Sequence, residues 1–128
     1  MGDDTIDESV LVEIFELGGD DPSIAIELLD EFETEARLRL TELEQARATG
    51  DLTAIARIAH SLRGSAANFG AQRLVTLTAD LEDAAVRGDR ERVPELVTEI
   101  DAEFAAVVRA LARITEAARQ GRPPTAQS

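Results

Sequence analysis

The sequence predicts an all-α fold, an antiparallel up-down four-helix bundle with a short N-terminal capping helix, and two observations carry that expectation. Apolar residues recur at spacings of three and four in segment after segment, and no stretch alternates apolar and polar residues as a half-buried strand does. Breaks containing Gly, Asp and Pro divide the chain so that successive helices are joined by connections of a few residues, which favours antiparallel neighbours.

Ser9 is placed to cap a first helix running to about Leu17, with Val10, Leu11, Ile14 and Phe15 as its apolar face and Gly18-Gly19 as its stop. Asp21-Pro22 is a cap and first-turn signature for a long second helix. Its inward positions are Ile24, Leu28, Leu29, Phe32, Ala36, Leu40 and Leu43, and it runs to about Thr49, where Gly50 closes it. Asp51 caps the third helix, in which Leu52, Ile55, Ala59, Leu62, Ala66 and Phe69 form an unbroken stripe up to the break at Gly70. A fourth helix spans about Gln72 to Val86, with Leu74, Leu77, Leu81 and Ala84 facing inward. After the Gly88-Asp89 turn the last helix starts between residues 90 and 94, around Pro94, and ends near Arg119. Val93, Leu96, Ile100, Phe104, Val107, Leu111 and Ile114 line it. Residues 1–119 are expected to form one domain, and the polar, Pro-containing stretch 120–128 a disordered tail.

A chain of 128 residues holds one core without staples, and with no Cys there is neither a disulfide framework nor a thiolate metal site. No apolar run approaches the length of a membrane span, and the acidic start MGDDTIDES lacks the basic and apolar regions of a secretion signal. A cytoplasmic location is therefore expected. The net charge of −13 disfavours nucleic acid and anionic membrane as partners, because their phosphates would be repelled. That charge is unevenly spread. Residues 1–51 carry 16 acidic residues against 3 arginines, residues 52–79 carry no acid and 3 arginines, and residues 80–128 carry 10 acids and 7 arginines.

The only histidine, His60, lies inside this acid-free window, mid-helix and just beside the apolar stripe. Its neighbours on the same helical face are Ala56, Gly64 and Ala67, too small to cover an imidazole, so a partner can reach it. Gly64 costs a helix roughly 1 kcal/mol relative to Ala, which calls for a packing or functional reason. On the residues alone two readings stand: a nucleophile or phosphoryl carrier, since neutral imidazole offers a nitrogen lone pair, and a surface histidine without a task. Metal ligation has little support, since no Asp or Glu lies three or four residues away.

Arg63, one turn on, is placed to hold phosphate oxygens, and Arg57, one turn back, is a second candidate. Arg73 opens the next helix as a docking charge or an ordinary surface residue. If the chain reverses at Gly70, His60 lies ten residues before the turn and Glu82 twelve after it. At about 1.5 Å per residue the two then differ in height by about 3 Å. A carboxylate there would accept a hydrogen bond from one ring nitrogen and leave the other free to attack.

The run from His60 to Leu74, HSLRGSAANFGAQRL, resembles the histidine-containing phosphotransfer (HPt) domains of two-component phosphorelay signalling, whose pattern is H-x-L-K-G-[SA]-[SA]-x-x-[hydrophobic]-G. His60, Leu62, Gly64, Ser65, Ala66, Phe69 and Gly70 match it. Arg63 departs from the more frequent lysine, exchanging a point charge for a planar fork, and Glu82 stands where some members place a glutamine. The resemblance implies that His60 accepts a phosphoryl group from a receiver-domain aspartyl phosphate and passes it to another receiver aspartate. It implies response-regulator receivers and a hybrid histidine kinase as partners, with Mg²⁺ supplied by the receiver and no cofactor bound by this chain, which is expected to be monomeric. No P-loop or Gly-rich nucleotide motif is present, so kinase activity of its own is not expected. Gly64, Ser65 and Ala67, with Arg57 and Arg73, are the expected docking positions. Two other readings remain: an adaptor that binds receivers without relaying phosphate, and an enzyme using His60 as general base or phosphohistidine hydrolase intermediate.

Overall fold

The computed structural model describes residues 5–125, and all regular structure among them is helical. Five helices follow in order: α1 (Glu8–Glu16), α2 (Ser23–Thr49), α3 (Leu52–Asn68), α4 (Gln72–Val86) and α5 (Arg92–Arg119). The tail expected beyond residue 119 falls partly outside the described residues, from 126 on. Within the described part, Gln120 caps α5, and Pro123 and Pro124 border a cleft with Phe15 and Pro22 at the α1–α2 end.

Helix α2 packs on α3, α3 on α4, α4 on α5 and α5 back on α2, which closes an up-down bundle. The four members are unequal. α2 and α5 have 27 and 28 residues, α3 and α4 only 17 and 15. At about 1.5 Å per residue, the long pair extends roughly 15 Å past the α3–α4 turn. α1 fills the space this leaves, with Leu11 and Phe15 buried in the common core.

The inward rows are aliphatic, and Leu62, Leu74, Leu81 and Ile100 are each 2% exposed or less. Burying such a side chain is worth about 1.5–3 kcal/mol. Phe32 of α2 meets Phe69 at the end of α3, with ring centroids 4.5 Å apart, and Arg37 lies 5.4 Å over the Phe104 ring, joining α2 to α5. Thr78 is buried among these rows because its hydroxyl donates to the carbonyls of Leu74 and Val75 in its own helix.

Two local expectations are corrected. Asp7, not Ser9, caps α1: its Oδ1 accepts from the Ser9 backbone N–H at 3.0 Å and from the Ser9 hydroxyl at 2.7 Å. Ser9 is thus inside the helix as a donor to the cap. Ile24, expected inward, is 45% exposed. The buried row of α2 runs through Ala25, Leu29, Phe32, Ala36 and Leu43, and Ile24 lies one residue out of phase with it, on the row shared with the partly buried Leu28. Asp51 caps α3 through the Ala54 N–H at 3.1 Å, a contact worth about 1 kcal/mol.

The α3–α4 turn fixes the relation of these two helices. Gly70 has φ 71°, and the bonds Ala71 N–H to Ala66 O and Gly70 N–H to Ala67 O close α3 over it. The same glycine also receives α1: the Asp7 N–H donates to its carbonyl at 2.7 Å, and a Cβ there would lie 2.9 Å from the Asp7 carbonyl oxygen. Asp7 Oδ2 accepts from Gln72 Nε2 at 3.1 Å, so one aspartate caps α1 and ties it to the start of α4.

The two glycines of this hairpin should answer substitution in opposite ways. Gly70→Ala meets both the left-handed backbone and the Asp7 carbonyl, and should lose at least about 1–2 kcal/mol in urea unfolding. Gly64→Ala meets nothing within 4 Å and should gain about 0.5–1 kcal/mol. A change of the same sign at the two positions, or no loss at Gly70, would contradict the hairpin geometry described.

Candidate functional site

His60 lies mid-way along α3 because the apolar stripe Ile55–Ala59–Leu62–Ala66 turns the adjoining face of the helix outward. Its side chain is 64% exposed. The reversal at Gly70 brings α4 back beside it, and Glu82, 26% exposed, reaches Nδ1 with Oε2 at 3.1 Å and Oε1 at 3.4 Å. Arg63, 38% exposed, completes a triangle: Nη2 lies 2.9 Å from His60 Nδ1, and Nη1 lies 3.4 Å from Glu82 Oε1. Nε2 makes no hydrogen bond among the described residues, on a side chain that is mostly exposed.

The chemistry available to this arrangement follows from the ring. With the proton on Nδ1, facing the carboxylate, Nε2 keeps its lone pair and is a nucleophile directed at solvent. The carboxylate also stabilises the positive charge that the ring gains when Nε2 forms a bond. No group of three or more His, Cys, Asp or Glu side chains among the described residues is arranged to hold a metal ion.

The other candidate positions divide by location. Gly64 and Ala67 are exposed on the His60 face and Ser65 is half-buried; the backbone at Gly64 is open, since a Cβ there would touch nothing within 4 Å. Arg57 is exposed and makes no ion pair among the described residues, so its charge is available one turn from His60. Arg73 is placed elsewhere. It lies nine residues before Glu82 on α4, about 14 Å along the axis, and its Nε is 3.4 Å from Glu103 Oε1 on α5. Glu103 is 11% exposed, so this pair joins α4 to α5 at the turn end.

One residue escaped the sequence reading. Val86, at the end of α4, is 72% exposed and lies four residues after Glu82, as Ala56 lies four before His60. The antiparallel register therefore sets Val86 and Ala56 at one level, a turn from the His60–Glu82 pair. The i+4 spacing from Glu82 was the available signal. An apolar spot, an open glycine and the exposed imidazole thus share the outer face of the α3–α4 hairpin.

No helix among the described residues is long and apolar enough to cross a membrane. Comparison with known proteins gives the family. A family model described as "Hpt domain" matches residues 27–120. Among solved structures the chain is similar to histidine-containing phosphotransfer protein B (HptB) from Pseudomonas aeruginosa PAO1, at 32% identity and a TM-score of 0.80, covering 85% of this chain and 92% of that one. No curated protein sequence matches.

Proposed function

The chain belongs to the Hpt domain family, the histidine phosphotransfer proteins of two-component phosphorelays, and on that premise we propose that His60 is its phosphoryl carrier. Such proteins are phosphotransfer intermediates rather than kinases, and their partners are receiver domains and histidine kinases. One observation carries the assignment of the residue: the sole histidine of the chain presents an unpartnered Nε2 to solvent while a carboxylate faces its Nδ1.

In the transfer we propose, the Nε2 lone pair attacks the phosphorus of an aspartyl phosphate on a receiver. The P–N bond forms as the P–O bond to the aspartate breaks, and the electron pair leaves with the carboxylate. Nδ1 keeps its proton against Glu82, which offsets the charge on the phosphorylated ring. Delivery to a second receiver is the reverse: the P–N pair returns to Nε2 as the acceptor aspartate bonds phosphorus. Arg63 is placed to hold phosphoryl oxygens, and Arg57 adds a cation at the rim. The receiver supplies the Mg²⁺ that neutralises phosphoryl charge; this chain offers His60 one carboxylate, which is no cation site. Gly64 admits the partner's loops to the helix backbone, and Ala67 and Val86 extend the docking strip to either side.

Incubation with a phosphorylated receiver should place acid-labile label on this chain, and His60→Gln should abolish it. Label retained by His60→Gln would overturn the assignment, and stable binding without label would support an adaptor instead. Arg63→Ala should slow transfer about 10- to 100-fold, the loss of a charge-assisted hydrogen bond, with helicity by circular dichroism unchanged. Transfer at the wild-type rate would overturn the role of Arg63 in holding phosphoryl oxygens. Val86→Asp should weaken receiver binding while leaving thermal unfolding within about 0.5 kcal/mol of wild type, as for a surface position.

A further inference from the structure

The Nδ1 atom of His60 has two neighbours that need opposite things from it. Arg63 Nη2, 2.9 Å away, belongs to a guanidinium, which has donors only. Glu82 Oε2, 3.1 Å away, belongs to a carboxylate, which when ionised has acceptors only. A nitrogen of a neutral imidazole carries either a proton or a lone pair, so Nδ1 serves one neighbour at a time. Serving Glu82 leaves the Nε2 lone pair free. Serving Arg63 puts the proton on Nε2 and removes the nucleophile.

We propose that Arg63 is a positioning residue that holds His60 in its unreactive tautomer until phosphate oxygens draw the guanidinium away. This deepens the carrier reading given above and rests on it. In the resting chain Arg63 donates to Nδ1, and Nε2 bears the proton. An arriving phosphoryl group offers acceptor oxygens with full negative charge, and these compete with a neutral ring nitrogen for the same N–H groups. Once the guanidinium turns, Nδ1 faces only Glu82. One proton then leaves Nε2 for water and one arrives at Nδ1, so the ring stays neutral and the lone pair on Nε2 is exposed to phosphorus.

Three features of the structure permit this exchange. Arg63 also contacts Glu82, Nη1 to Oε1 at 3.4 Å, so it can give up Nδ1 without leaving the cluster. Its side chain is 38% exposed rather than locked in the core. The adjoining position is Gly64, which places no side chain beside Arg63. Glu82 has a matching requirement: it must be an acceptor at Nδ1 and must remain near enough to keep the ring oriented.

Nitrogen-15 NMR of the imidazole, at a pH where the ring is neutral, reads the tautomer ratio directly. The wild-type chain should show mainly Nε2–H without phosphate, and a severalfold shift toward Nδ1–H as inorganic phosphate is added at constant ionic strength. Arg63→Ala should be mainly Nδ1–H from the start and insensitive to phosphate, and Arg63→Lys should recover the response. Equal ratios in wild type and Arg63→Ala, or a wild-type ratio that phosphate leaves unchanged, would overturn the proposal. Label on His60 with a phosphate-insensitive ratio refutes this latch and leaves the carrier standing; a phosphate-sensitive ratio without label does the reverse.

Discussion

The register of the α3–α4 hairpin is the constraint on which everything else at the surface depends. It is set at Gly70, whose left-handed backbone closes α3 and whose carbonyl receives the start of α1. From that point two helices run back in step, so that His60, ten residues before the reversal, meets Glu82, twelve after it. A shift of one residue would rotate Glu82 by about 100° on its helix, away from His60. The bundle core maintains the phase, since Leu62, Leu74 and Leu81 are essentially fully buried on the inward faces of the same two helices. Packing energy spent far from the imidazole therefore fixes which group faces its Nδ1.

Function has a visible cost in this hairpin. Gly64 sits in an open helical position where Ala would fit, and a helix glycine forgoes roughly 0.5–1 kcal/mol. The neighbouring positions are small or exposed, so the face that carries His60 contributes little burial of its own. Its stability comes from the other side of α3 and from the ties at the hairpin's end: Asp7 to Gln72, and Arg73 to Glu103. The arrangement separates the two demands, with the core and the turn holding the helices while the outer face stays bare for a partner.

Much of this was legible in the chain itself. The five helices, their glycine stops and the rows of α3, α4 and α5 follow from periodicity, because those helices bury single continuous stripes. The facing of His60 and Glu82 follows from counting residues on either side of Gly70. What periodicity does not carry is contact between segments distant in sequence. Asp7 wins the cap from Ser9 because the same carboxylate also bonds Gln72, sixty-five residues away. Arg73 turns to Glu103 for the same kind of reason, a partner on another helix. Ile24 departs from the expected inward row because a broad apolar face on α2 admits two phases, and only the positions of α3 and α5 choose between them. The triangle of Arg63, Glu82 and His60 depends on side-chain rotamers, to which spacing is blind. The motif, with the count across Gly70, could name the three residues without showing that two of them compete for one nitrogen.

The central claim is that phosphate is carried on the nitrogen of His60 that faces solvent, with the other held against Glu82. The most direct measurement is nitrogen-15 and phosphorus-31 NMR of the phosphorylated chain, in which one-bond coupling identifies the nitrogen bonded to phosphorus. Phosphorus on Nε2 with a proton retained on Nδ1 is the predicted result. Phosphorus on Nδ1, or on any other residue, would contradict it.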